Sequence, residues 1–313
     1  MSINQDPETG WTIYTLTQGK TTIQIAPDAG CNVFSIQHDG VEFMRQPESL
    51  KQLPGVAYGV PVLYPMPNRV RGSQFTFEGR TFRFGDNPNQ HFIHGLAHSV
   101  GWEVVGMAAT DERSELTCRL VFAPGTERFE KFPVEHAIEL KITLSAGTVR
   151  WDYTVRNSDQ QWKLPYGFGL HPYFRYVNDR SQTFLTVPAT HKMESVNVLP
   201  TGKLIPVADL EYDTSQPISL DGTSLDDVFL GMDAKKQTVI DFRSAVRKVT
   251  LVGSDEFTHL VVWTPNDPYF GIENQTCSTD AHNFYSQGKN DVAHLQICEP
   301  GQSQSGWVEY RFE

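Results

Sequence analysis

The stretch Pro165-Tyr-Gly-Phe-Gly-Leu-His-Pro-Tyr-Phe174 sets one histidine, His171, among two glycines, two prolines and four aromatic rings. Glycine lets a backbone approach closely, and Pro172 stiffens the chain just after the imidazole. An imidazole titrates near neutrality and so suits proton transfer. The same stretch equally fits a core histidine hydrogen-bonded among rings. A second stretch, Asn89-Gln-His-Phe-Ile-His-Gly-Leu-Ala-His98, places His91, His94 and His98 at H-x2-H-x3-H spacing. That spacing invites a metal, but imidazoles must converge from a helix or from paired strands. Phe92, Ile93 and Gly95 offer no helix, which leaves a loop histidine acting as donor or acid.

Carboxylates complete the reactive inventory. Glu273 in Phe270-Gly-Ile-Glu-Asn-Gln-Thr276 and Glu299 in Gln296-Ile-Cys-Glu-Pro-Gly301 both stand beside apolar residues. Desolvation there raises a carboxyl pKa toward the range of a general base. Residue physics does not choose between the two. Leu225-Asp-Asp-Val-Phe229 pairs Asp226 with Asp227 ahead of an apolar pair, a pattern that also reads as an ordinary turn. Tyr64-Pro-Met-Pro-Asn-Arg-Val-Arg-Gly72 is a proline-ordered loop. Its Arg69 offers a guanidinium fork to hydroxyls or a carboxylate, unless it is simply solvated.

The elements that must position these groups read as strands. Thr148-Val-Arg-Trp-Asp-Tyr-Thr-Val-Arg156 alternates strictly, with Val149, Trp151, Tyr153 and Val155 on one face. Phe75–Phe84 reads as a hairpin turning at Glu78-Gly79. Glu139–Leu144, Arg247–Val252 and His259–Trp263 add β-rich segments, the last apolar enough to be covered on both faces. No stretch of ten residues carries a helical apolar stripe, and 24 glycines and 19 prolines are scattered along all 313 residues. The expected architecture is all-β: one antiparallel, sandwich-like domain over residues 1–313.

Bulk chemistry narrows the partners. A net charge of -11 disfavours nucleic acid and anionic membranes. No apolar run reaches the ~20 residues of a spanning helix, and the first ten residues lack a signal-peptide pattern. A cytoplasmic protein, monomer or homodimer, is expected. Cys31, Cys118, Cys277 and Cys298 lie far apart with no C-x-x-C, as for reduced thiols.

The motifs in this order resemble the aldose 1-epimerase (galactose mutarotase) family. They are Asn68-Arg69 before a Phe-rich hairpin, His94-Gly95, His171-Pro-Tyr-Phe174, Leu225-Asp-Asp-Val-Phe229, Ile272-Glu-Asn-Gln-Thr276 with Asp280-Ala-His-Asn283, and Pro300-Gly301. The resemblance covers roughly residues 20 to 313. It implies a galactose mutarotase-like β-supersandwich and cofactor-free interconversion of the anomers of a free sugar. It further implies Glu273 as the base, His171 and His94 flanking the ring oxygen, and Arg69 and Asp226 binding sugar hydroxyls, with Asp227 as the fallback. Glu299 then belongs to the terminal Pro-Gly motif. Leu96 stands where the family often has a second glycine, and Asn274 where many relatives carry proline or alanine. Such departures leave the reagents in place and loosen any tie to galactose. Competing readings are a hexose-6-phosphate epimerase, with Arg71 and Arg175 as phosphate candidates, a non-catalytic carbohydrate-binding protein, and a polysaccharide lyase or glycoside hydrolase.

Overall fold

Residues 1–87, 89–232 and 237–313 are described by a computed structural model. Two large antiparallel sheets face each other. One has nine strands and is centred on Thr148–Asn157 and the C-terminal strand Ser303–Phe312. The other has eight strands and contains Asp226–Leu230, His259–Trp263, Tyr269–Gln275 and Gly169–Leu170. A five-stranded sheet formed by residues 2–42 joins them. The expected alternation holds: Val149, Trp151, Tyr153 and Val155 are buried. From the eight-stranded sheet, Phe229, Leu260, Val262, Phe270 and Ile272 enter the same core cluster. Phe174 against Tyr310 (5.9 Å) and Phe168 against Tyr153 (4.4 Å) join the two inner faces. Truncating such a fully buried ring to alanine typically costs about 3–5 kcal/mol.

His259–Trp263 is a strand and is covered on both faces over most of its length, as its apolar run implies. The hairpin is also present, pairing Gln74–Phe77 with Arg80–Arg83 and stacking Phe75 on Phe82 at 4.8 Å. Among the described residues the α-helices are short: Glu127–Lys131, Ala281–Ser286 and Asn290–Ala293. The last two cover part of the outer face of the eight-stranded sheet, packing on Val228 and Val261. No helix among the described residues is long and apolar enough to cross a membrane, and all four cysteines are free.

Candidate active site

Strand register assembles the reactive groups. Along Tyr269–Gln275 alternate residues share a face, so Gly271, Glu273 and Gln275 point away from the core while Phe270 and Ile272 enter it. Gly169 lies opposite Gln275, and Tyr173 lies opposite Gly271. Midway between these pairs, His171 falls opposite Glu273. Pro172 has no N–H to donate and interrupts the ladder between the two short strands. The result is a direct contact, His171 Nε2 to Glu273 Oε1 at 3.2 Å, with both side chains buried. Gln275 Nε2 donates to the other carboxylate oxygen, Oε2, at 2.9 Å.

The next row across the sheet is Asp226, Trp263, Gly271 and Tyr173, again on the face of Glu273. Gly271 lacks a side chain between the two rings, and Trp263 and Tyr173 stand 5.9 Å apart across it. Tyr173 stacks on the His171 ring at 4.5 Å and donates its hydroxyl to Val56 O at 2.7 Å, which fixes the imidazole plane.

A loop supplies the opposite wall. Arg69 and Val70 pair with Ile93 and Phe92, and His94 N donates to Asn68 O. His94 and Gly95 both adopt positive φ. At Gly95 a Cβ would lie 2.3 Å from Tyr64 O, so only glycine fits there. This turn brings His94 to His171 edge-on, ring centroids 5.2 Å apart. Gly95→Ala is therefore expected to cost ~1–3 kcal/mol and to displace His94. Chemical denaturation and turnover should fall together; an unchanged unfolding midpoint would show that the turn is not strained.

Burial dominates the electrostatics. It pushes the Glu273 carboxyl up to about 8, against the pull of the Gln275 amide; Asp226 adds to the rise and Arg69 opposes it. Burial likewise draws the His171 imidazole down to about 3 and holds His94 well below its ordinary value. Burial thus disfavours charge on either partner, which favours a neutral carboxyl beside a neutral imidazole in the free protein. His94 Nδ1 and His171 Nδ1 are buried without a hydrogen-bond partner among the described residues. Donors and acceptors left this way cost free energy unless a ligand or water meets them.

The two aspartates separate cleanly. Asp226 stands exposed on the Glu273 face of the sheet. Its carboxyl is raised by the protein behind it, with Arg69 opposing and Asp227 adding. Asp227 points to the other face and is committed to Lys192 Nζ at 2.8 Å and the Tyr212 hydroxyl at 2.7 Å. Glu299 corrects one expectation: its side chain is 56% exposed and lies 3.4 Å from Lys163 Nζ, so no apolar setting surrounds it. Arg71 is engaged by Asp280 and by Pro200 O, and Arg175 is exposed. His91 accepts from Gly72 N while His98 turns to Ser99, and the three loop histidines do not converge. Trp263, Gly271 and Gln275 went unmarked as site residues in the sequence; the E-x-Q spacing held the signal for Gln275, since residues two apart share a strand face.

Comparisons with known proteins bear on the family and the fold. The family profile described as aldose 1-epimerase matches residues 12–311. Escherichia coli (strain K12) YphB is 26% identical over 171 residues, spanning about half of either chain (52% of each). A maltose epimerase from Levilactobacillus brevis is 24% identical over 65% of this chain and 62% of its own. Among solved structures, a galactose mutarotase-like protein from Clostridium acetobutylicum superposes with a TM-score of 0.89 at 22% identity, covering 100% of this chain and 98% of that one. A galactose 1-epimerase from Lactobacillus acidophilus gives a TM-score of 0.80 at 13% identity, over 99% and 96%.

Proposed function

Because this chain belongs to the aldose 1-epimerase family, we propose that it interconverts the α and β anomers of a free aldose by acid–base ring opening and reclosure. The observation that carries the reading is the buried Glu273–His171 contact at 3.2 Å. Ring opening removes a proton from the C1 hydroxyl and delivers one to the ring oxygen as the C1–O5 bond breaks. Glu273 takes the first proton and His171 gives the second, with His94 as a further donor to the ring oxygen. The aldehyde rotates about C1–C2, and reclosure returns both protons by the reverse transfers. No cofactor enters the balance. Each positioned transfer typically contributes ~10²–10⁴-fold.

The protonation state of the free site has a place in this cycle. A neutral carboxyl beside a neutral imidazole is the state the pair reaches when the sugar is open. Binding of the ring form moves one proton from Glu273 to His171 across their direct contact. Gln275 and Arg69, which both favour the ionised carboxylate, assist that shift. Asp226 and Arg69 bind hydroxyls, and Trp263 offers a ring to the apolar face of the sugar.

Polarimetry on freshly dissolved free aldoses, beside glucose 6-phosphate, tests the substrate class. Acceleration of the free sugars above the spontaneous rate, with the phosphate slower, is expected because Arg71 is tied to Asp280. A preference for the phosphate would replace free aldoses with sugar phosphates as the substrate.

A further inference from the structure

The two oxygens of the Glu273 carboxyl meet different partners. Oε1 lies 3.2 Å from His171 Nε2, and Oε2 accepts from Gln275 Nε2 at 2.9 Å. Val261, directly opposite Glu273 in the sheet, is apolar and offers neither a donor nor a charge. Among the described residues, Gln275 is the one side chain that donates to Oε2. An N–H donor favours the carbonyl oxygen of a neutral carboxyl, because a hydroxyl oxygen is the weaker acceptor. The proton therefore goes to the other oxygen.

The surrounding backbone puts Gln275 there. Its side chain is fully buried. Gly169, opposite it in the register, is bare: a Cβ at that position would lie 3.1 Å from Gln275 Cγ and 3.2 Å from Pro67 Cβ. The missing side chain leaves room for the Gln275 stem, with Pro67 of the Arg69 loop against it. The next residue locks the strand. Thr276 N donates to Phe168 O, and Phe168 N donates to the Thr276 hydroxyl, each at 2.9 Å. Gln275 Oε1 is buried without a partner among the described residues, so the contact of Nε2 with Glu273 is what orients the amide.

Building on the epimerase reading, we propose that Gln275 is the positioning residue of the site: by occupying Oε2 it confines the exchanged proton to Oε1, the oxygen in contact with His171. Transfer from Glu273 Oε1–H to His171 Nε2 then leaves a carboxylate and an imidazolium without movement of either side chain. Without the amide the proton settles on either oxygen, and the form protonated on Oε2 holds it away from the imidazole.

The other titratable and charged groups around Glu273 are Arg69, His94 behind His171, Tyr173, Asp226 and, across the core, Tyr310. All of them stay in place in Gln275→Leu, Gln275→Met and Gly169→Ala. Two readouts compare these variants with wild type: a 13C NMR titration of the Glu273 carboxyl, assigned against Glu273→Gln, and kcat and KM for anomer exchange of a free aldose across pH. Gln275 lowers the Glu273 pKa, so loss of its donor should raise the carboxyl midpoint, and with it the alkaline fall in rate, by about one pH unit. In the Gln275 variants kcat should fall ~10–100-fold with KM within about threefold of wild type. Gly169→Ala keeps the amide but crowds its stem, so it should move both readouts the same way by less; it carries the test if the Gln275 variants do not fold. A lower Tm with an unmoved midpoint and an unmoved alkaline limb is what a merely structural glutamine predicts, and it overturns the proposal. A raised midpoint with wild-type kcat overturns it too, because confinement of the proton would then not matter to the reaction. If wild type accelerates no aldose, the epimerase reading fails, and the carboxyl titration still decides whether Gln275 sets the proton affinity of Glu273.

Discussion

Glu273→Gln is expected to bind sugar within about threefold of wild type while losing catalysed anomer exchange by about 10²–10⁴-fold. Glutamine keeps the shape and a hydrogen-bonding oxygen for Gln275, but it cannot accept the C1 hydroxyl proton. The same variant should be the more stable protein. A carboxyl whose folded pKa is raised from 4.5 to about 8 opposes folding once the unfolded chain ionises. This penalty is absent below about pH 4.5, grows as pH rises, and levels off above about 8. At pH 7 it is on the order of 3 kcal/mol. Glu273→Gln should therefore melt above wild type, by a margin that widens from pH 5 to pH 7.5. A full exchange rate in this variant would remove Glu273 from the chemistry, and an equal Tm at both pH values would deny the carboxyl its desolvated setting.

His171→Asn should fall by a similar factor, in kcat far more than in KM, because the transfer to the ring oxygen occurs only in the transition state. Its pH profile should also change sign. In wild type the pair works while it holds one proton, so kcat/KM falls as the pair loses that proton above about pH 8. Without the imidazole, the remaining rate depends on the Glu273 carboxylate alone and rises with pH through the pKa of that group. A variant altered only in KM, or one that keeps the alkaline fall, would reduce His171 to a binding group.

The β architecture was legible because its signals are local. Strict alternation in residues 148–156 and the apolar run 259–263 each predict one strand and its buried face, and both are found. The site was legible as a set of motifs but not as a geometry. His171 and Glu273 lie 102 positions apart, and their contact follows from a register that no local pattern encodes. The choice between Glu273 and Glu299 came from the family resemblance, and the structure separates the two by burial. Apolar sequence neighbours surround both, yet one is buried against His171 and the other is exposed beside Lys163. Asp226 and Asp227 are adjacent in sequence and opposite in space, since successive side chains of a strand point to opposite faces. Of the two phosphate candidates, Arg71 is held by Asp280, which is 209 residues away, a pairing no local pattern encodes.

The most direct test of a shared-proton Glu273–His171 pair is kcat/KM for anomer exchange of a free aldose from pH 4 to pH 9.5, with the spontaneous rate subtracted. The account predicts acceleration that is level through the acidic and neutral range and falls above about pH 8, where the pair gives up its one proton. No acceleration at any pH, or a rate that keeps climbing through pH 9, would contradict it.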